Sequence, residues 1–429
     1  MCIRDRLGKY WNYRDRFLGN DGNGGFISLG EEQGESIPMS GRKHNCNCQN
    51  DWALNNYGCR TGPGEGKMEW GDATVYQGQY LAVLALEHYN LKQAGRLSDL
   101  PKIEEELYLA LNAINRLDLA AEEALGMQAS LNGFFMRDDV PKDFYMDDSH
   151  SSKRRFAYAP DKGYDCVASN YSCGNLSVDD GSFMSQDQII GLFFGFTIIH
   201  ELMSNVPYGK TETTFGNMAA DITHRILDYC IKSKWKLKGP NGEKISNRWG
   251  GDLRGFNNML AKIGERICGD KHRKTYQKGS SKNIGWAASG TLDWAFGIQA
   301  KRNHWMILSL VVSTGKWNTK KIAKRSLKSD KVIYALAYSM VNNKPLHKKV
   351  KKKYLLDLLE SAPWDGPCFG TDDCKAPDGW KSADRWIHSN HKNGNKHGVH
   401  FEYTGLDYML LYNLYHYLFK DELEQYKKR

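Results

Sequence analysis

The chain has 429 residues, 41% hydrophobic and 25% charged, which puts it in the globular range with enough length for one large or two ordinary domains. Its formal charge of +9 leaves an anionic partner open. A membrane-spanning class is excluded for the visible chain: no run approaches the roughly 18 apolar residues of a span, and the best, 189–199, is short and glycine-interrupted.

The first residues, Met1-Cys-Ile-Arg-Asp-Arg6, read as the translation of a transposase sequencing adaptor fused to an open reading frame. Residues 1–6, and Cys2 with them, are therefore set aside, and an export leader is expected to have been lost with the natural start. Residues 7–429 read as a single domain, because no tract rich enough in Pro, Gly or Ser divides them. Lys9-Tyr-Trp-Asn-Tyr-Arg-Asp-Arg-Phe17 can form a first helix. From Ala73 onward helical periodicity dominates, with helices expected near 73–94, 102–125, 185–204, 215–235, 256–268, 292–313, 320–342, 350–360 and 406–425.

In the first strong pair, Tyr80, Leu84 and Leu91 face Leu107, Leu111, Ile114 and Leu117 as apolar stripes. Gly95 suits a helix stop and Pro101 a start, so the short turn between them predicts an antiparallel hairpin. Long polar stretches at 20–72, 126–184, 236–255, 269–290 and 361–403 separate the helices, and their aromatic and cysteine content predicts ordered, functional loops. Gly25-Phe-Ile-Ser-Leu29 and Gly133-Phe-Phe-Met-Arg137 can add short strands, but no βαβ alternation supports a parallel sheet. The expected fold is mainly α: an (α/α) toroid of helical hairpins, complete or incomplete, with long loops and minor β pieces at one end.

Of ten cysteines, Cys46, Cys48, Cys59, Cys166, Cys173, Cys368 and Cys374 fall in Gly/Asn/Asp-rich loops without a histidine at zinc-finger spacing. That pattern predicts local disulfides in an oxidising compartment, hence a secreted or periplasmic protein. Cys230 and Cys268 lie in helical patterns and read as buried thiols. The basic run His347-Lys-Lys-Val-Lys-Lys-Lys353 reads as a solvated face.

The chemistry is expected where polar, aromatic loops run into apolar helices. Asp72 enters the 73–94 helix beside Trp70, Tyr76, Gln77 and Gln79, and Asp187 enters the next beside Gln186 and Gln188. Carboxylates at such entrances often serve only as N-caps, but Trp, Tyr and Gln neighbours suit sugar stacking and hydroxyl recognition. Three acid pairs, Asp138-Asp139, Asp147-Asp148 and Asp179-Asp180, read as solvated turn acids or a structural calcium site. Asp138 and Asp139 are the exception, with Arg137 beside them and Pro141 fixing the exit, and Asp139 is taken as the candidate. Asn247-Arg-Trp-Gly-Gly-Asp-Leu-Arg254 gathers Arg248, Trp249 and Asp252 around a Gly pair, where Arg could grip a uronate or sulfate. His400 and Glu402 precede the last helix, and the histidines at 388–400 match no compact zinc motif.

The catalytic candidates are thus Asp72, Asp187, Asp139, Asp252 and Glu402, and the substrate-binding candidates Trp70, Tyr76, Gln77, Gln188, Arg248, Trp249 and His400. The 70–125 hairpin, the Ser185-Gln-Asp-Gln entry, the 247–252 loop and the Leu406-Asp-Tyr-Met-Leu-Leu end resemble the six-hairpin glycosidase-like proteins, a superfamily of glycoside hydrolases and polysaccharide lyases. The likeness spans residues 70–425 in architecture and loop style, and no family's catalytic residues are carried over by it. It implies a cleft at one end of the ring that binds a saccharide. Two carboxylates about 5–10 Å apart would hydrolyse a glycosidic bond. A polysaccharide lyase would instead use Arg248 to neutralise a uronate, with His400 and Tyr403 as bases. A non-catalytic glycan binder or scaffold is a third reading, and an isoprenoid-cyclising toroid a distant fourth. A polysaccharide or oligosaccharide is the expected partner, with neither nucleic acid nor cofactor. No phosphate loop, nucleophile elbow or His-Glu-x-x-His pair is present.

Overall fold

The computed structural model describes residues 3–14, 17–20, 26–31, 42–43, 67–68, 73–137, 139, 183–209, 211–242, 253–269, 272–279, 300–329, 331–362 and 405–420. Twelve α-helices lie among them: α1 (Ile3–Arg14), α2 (Ala73–Gln93), α3 (Leu100–Ala124), α4 (Gln186–Met203), α5 (Phe215–Lys232), α6 (Asn257–Cys268), α7 (Arg273–Gly279), α8 (Ala300–Thr314), α9 (Thr319–Lys328), α10 (Ile333–Val341), α11 (Lys352–Ser361) and α12 (Leu406–Leu418). The protein is mainly helical. Its described strands form two short antiparallel pairs, Leu18–Asn20 with Phe26–Ser28 and Arg42–Lys43 with Lys67–Met68. The expected strand at 25–29 is therefore present, whereas Gly133-Phe-Phe-Met-Arg137 contributes a single bridge, Met136 to Phe183.

Most expected helices stand within a few residues of their place, and the departures have local causes. The single helix expected over 320–342 is two, α9 and α10. Ser329 ends the first by turning its hydroxyl back onto the Arg325 and Ser326 carbonyls at 2.9 and 3.3 Å, which competes with helix propagation. Helix α7, Arg-Lys-Thr-Tyr-Gln-Lys-Gly, has no apolar stripe to announce it and buries Tyr276, while Arg273, Lys274, Thr275 and Gln277 are exposed. Helix α1 begins at Ile3 and so takes in four of the six residues set aside as adaptor. Cys230 is buried and Cys268 partly buried, both free thiols as expected, while the loop cysteines lie outside the described residues. No helix among the described residues is long and apolar enough to cross a membrane.

Burial divides the helices into two kinds. Residues 74–88 of α2, all of α10 and residues 406–416 of α12 are closed from solvent on every side, and α4 nearly so. Helices α3, α5, α6, α9 and α11 bury one stripe each, such as Phe215, Ala219, Ile222, Ile226 and Cys230 of α5. Contacts follow the even helices in a closed circuit: α2 on α4, α4 on α6, α6 on α8, α8 on α10, α10 on α12, and α12 back on α2. The odd helices cover them, α3 against α2 and α5, α5 against α4 and α6, α7 against α6, α9 against α10, and α1 and α11 against α12. Helix α4 also touches α8 and α10, so side chains fill the middle.

The even helices point the same way. Between α2 and α4 the backbones meet at glycine, with Val75 opposite Gly191 and Gly78 opposite Gly195, so the two chains run parallel. A Cβ at Gly78 would stand 2.0 Å from the Gly191 carbonyl oxygen, and only hydrogen fits there. At the other end Arg266 of α6 donates to Glu201 of α4 at 2.8 Å, to the Ser313 carbonyl of α8 at 3.0 Å, to the Val341 carbonyl of α10 and to Asn342 Oδ1 at 3.1 Å. A guanidinium there meets the negative, carbonyl-rich ends of the helices. Near the ends of α2 and α12, Asn90 Nδ2 donates to the Asn413 carbonyl at 3.0 Å and to its Oδ1 at 3.2 Å. Since all six end together, all six begin at the opposite end. The chain enters them through the long segments 15–72, 125–185, 233–256, 280–299 and 362–405, with one short entry at 329–332, and leaves them through short ones.

Candidate functional site

The end at which α2, α4, α6, α8, α10 and α12 begin gathers six helix N-termini, whose free N–H groups favour negative charge. Polar side chains are buried there: Thr74 and Gln79 on α2, Ser185 and Gln188 on α4, Asn257 on α6, Lys331 ahead of α10 and Asp407 on α12. Thr74 Oγ1 and Gln79 Oε1 make no hydrogen bond among the described residues, an unusual state for buried oxygens. Tyr76, Gln79, Leu86 and Asn90 recur at helical spacing on one face of α2, and Asn90 fixes that face toward α12.

Helix α4 starts with a reciprocal capping box between Ser185 and Gln188, whose Oε1 accepts from the Ser185 amide at 3.2 Å. Asp187, half-buried, is the second helical residue; its Oδ1 accepts from the Ser185 hydroxyl and from the Gln188 amide at 3.2 Å. Asp407 holds the same position on α12, two residues after the left-handed Gly405 (φ 77°), and its Oδ1 accepts from the Tyr408 amide at 2.8 Å. It is fully buried. Helix α2 packs against both α4 and α12, so the two carboxylates open the helices on either side of it.

A segment beside the α4 entrance is held by carboxylates of α3. Asp118 accepts from the Gly133 amide with both oxygens at 3.0 Å, from the Asn132 amide at 3.2 Å, and from Arg225 Nε of α5 at 3.4 Å. Burial pushes its pKa up to about 6, against the lowering effect of these donors. Gly133 has φ +91°, and a Cβ there would stand 2.2 Å from the Arg225 backbone, so glycine is required twice over. The segment then runs to the α4 entrance: the Met184 amide donates to the Phe135 carbonyl at 3.0 Å, and Arg137 Nε to the Phe183 carbonyl at 2.9 Å. Asp139 at its end is buried and paired with Arg116 Nε of α3 at 3.3 Å, an arginine from outside the 132–141 run.

A second buried constellation lies further down α2. Arg14 of α1 pairs with Glu87 at 2.8 Å and with Glu106 of α3 at 2.5 Å. Tyr10 donates to Glu87 at 2.9 Å, Tyr80 to Glu106, and Asn413 to the Tyr10 hydroxyl at 2.9 Å. Burial pushes the Glu106 carboxyl up, opposed by Arg14, and raises both tyrosines. Glu87 of α2 and Glu106 of α3 bond side chains of α1 and α2 at this depth, which reads as an anchor for α1.

Of the residues expected from sequence, Asp187, Gln188, Asp139 and Tyr76 lie at or beside the shared entrance. Gln77 is buried and donates from Nε2 to the Ala110 carbonyl at 2.8 Å, toward α3. Asp72, Asp252, Glu402, Trp70, Arg248, Trp249 and His400 lie outside the described residues. Asp407 was passed over in favour of Glu402, although its place after a Gly at a helix start repeats that of Asp187 after Ser185. No group of three His, Cys, Asp or Glu among the described residues is set to hold a metal. Comparison with protein-family models, with curated proteins and with solved structures finds no match.

Proposed function

We propose that the chain is an (α/α) toroid of six helical hairpins that cleaves glycosidic bonds of a polysaccharide at the end where its inner helices begin. The observation that carries the reading is the parallel circuit of even helices, in which α4 and α12, packed on either side of α2, each carry an aspartate as second residue, Asp187 and Asp407. Acid/base hydrolysis of an acetal requires two carboxylates: one protonates the departing oxygen, the other activates water or attacks the anomeric carbon. Asp187, at the α4 entrance, and Asp407, set deeper along α2, are the acids proposed for these roles. Asp187, the more exposed, is the one that meets water. Tyr76 and Gln79, between them on α2, supply a ring and an amide of the kind that recognise sugar faces and hydroxyls. The six N-termini favour the ionised state of the base. The loop cysteines support placing this enzyme in an oxidising compartment, secreted or periplasmic.

The test is product analysis after incubating the full chain with neutral, uronate and sulfated glycans. The proposal expects new reducing ends without ultraviolet absorption. An absorbing, unsaturated product would replace hydrolysis by elimination, the chemistry of a lyase. Retention of a glycan with neither product would leave a binding protein.

A further inference from the structure

Residues 316–353 hold 13 of the chain's 59 Lys and Arg but one of its 50 Asp and Glu, an excess greater than the net +9 of the whole protein. The fold sets these residues on one flank. Lys320, Lys324 and Lys328 repeat every four residues of α9 and are exposed, while Ile322, Ala323 and Ser326 face inward. At 1.5 Å per residue they make a row of cations about 6 Å apart. Lys316, exposed in the turn before α9, is close enough to Lys262 of α6 for that charge to help depress it, after desolvation. Lys344, Lys348, Lys349 and Lys351, all exposed, lie in the turn between α10 and α11, where Lys344 Nζ donates to the Tyr338 hydroxyl at 2.9 Å and that hydroxyl to the Gly315 carbonyl at 3.1 Å, next to Lys316.

Internal stability does not account for the row. Lys320 and Lys321 open α9 with no acid in its first turn, where the helix dipole disfavours cations, and like charges four residues apart repel. Lys320, Lys324 and Lys328 have no acidic partner among the described residues. The row also leads somewhere. Helix α9 climbs from the end where the inner helices finish to the end where they begin, and it reaches α10 through the one short entry, 329–332. The inner wall is low there. Tyr334, at the start of α10, packs on Phe194, midway along α4, with ring centroids 5.5 Å apart. Helix α4 therefore rises about 12 Å above the start of α10.

We propose that the lysine flank of α9 and the following turn binds a linear anionic polysaccharide, uronate or sulfated, and leads it over the low α10 wall to the entrance of the inner helices. The choice of a saccharide rests on the function proposed above; the surface itself calls for a polyanion. An anionic membrane is disfavoured because the exposed large apolar side chains among the described residues, Leu97, Met127 and Leu131, all lie on other elements. Nucleic acid is disfavoured because the set has one Arg among its 13 cations, and its Trp317 ring is already covered by Lys321 Nζ at 4.4 Å.

The test compares the full chain with a K320E/K324E/K328E variant, binding polygalacturonate, dextran sulfate, neutral dextran, duplex DNA and phosphatidylserine vesicles at two salt concentrations. The inference expects binding to at least one acidic glycan that weakens with salt, at least tenfold loss in the triple variant with unchanged thermal unfolding, and no binding to dextran. A K92E/K102E variant, reversing exposed lysines of α2 and α3, should bind as the parent does. Equal affinity of parent and triple variant overturns the inference, as does tighter binding of DNA or vesicles than of either acidic glycan. Binding without turnover would sink the enzymatic reading and leave this surface standing, whereas turnover of a neutral glycan with no polyanion binding would do the reverse.

Discussion

Arg266 ties the carboxyl-terminal ends of four inner helices, so replacing it with Met tests the parallel arrangement on which the shared entrance depends. The substitution keeps the aliphatic stem and removes the guanidinium, with its contacts to Glu201, Ser313, Val341 and Asn342. Hydrogen bonds from a charged group contribute about 1.5–3 kcal/mol each when buried. Arg266 and Glu201 are 24% and 28% exposed, so water can reclaim part of what is lost. The Ser313 and Val341 carbonyls end their helices and cannot both be resatisfied without fraying the last turns. We expect Arg266→Met to cost about 3 kcal/mol, read as a lower urea midpoint at unchanged slope. Glu201→Gln, which removes one exposed pair and keeps the knot, should cost about 1 kcal/mol or less. A change below about 0.5 kcal/mol in Arg266→Met would mean that these helix ends are not held together as described.

Four further substitutions probe other parts of the frame. Gly78→Ala puts a methyl group 2.0 Å from the Gly191 oxygen and must drive α2 from α4, a loss of about 3 kcal/mol or more by thermal unfolding. Gly95→Ala meets nothing within 4 Å and strains only its φ of +74°, so about 1 kcal/mol is expected. Asp118 ordinarily titrates at 3.8 but at about 6 in the fold, because burial favours its neutral form. The folded chain therefore holds the proton more tightly than the unfolded one, and this group's stabilisation is complete below pH 3.8 and lost as pH rises through about 6, at most about 3 kcal/mol. Asp118→Asn should remove that slope, and denaturation curves of parent and variant that stay parallel over this range would contradict it. Arg14→Met leaves Glu87 and Glu106 buried without their cation and should cost 3–5 kcal/mol at neutral pH. Part of that loss should return in acid, where the carboxyls are neutral; equal losses at both pH values would refute the anchor.

The helices were legible because burial writes itself into sequence. The run from Ala73 to Leu86 has almost no polar side to spare and lies inside the circuit, while α5 shows the single stripe of a covering helix. What local pattern could not show depends on partners distant in sequence. Glu87 looks like an ordinary solvated end to an apolar run until Arg14 and Tyr10 arrive from α1. Asp407 gains meaning only from the packing of α12 and α4 on either side of α2. The run 347–353 exposes Lys348, Lys349, Lys351 and Lys353, and the turn that carries it meets the segment before α9 through packing alone, Lys344 on Tyr338 and Tyr338 on Gly315. Asp139 finds an arginine partner on α3, Arg116, 23 positions away in sequence.

The most direct test of a saccharide-cleaving site at the inner-helix entrance is the kcat/KM of Asp187→Asn and Asp407→Asn on a glycan that the parent cleaves, with folding verified by thermal unfolding. Removing a general acid or base costs about 10²–10⁴-fold. The account predicts at least a hundredfold loss for each variant, and parent-like turnover for Glu201→Gln at the far end of α4. Activity within about threefold of the parent in both aspartate variants would contradict it.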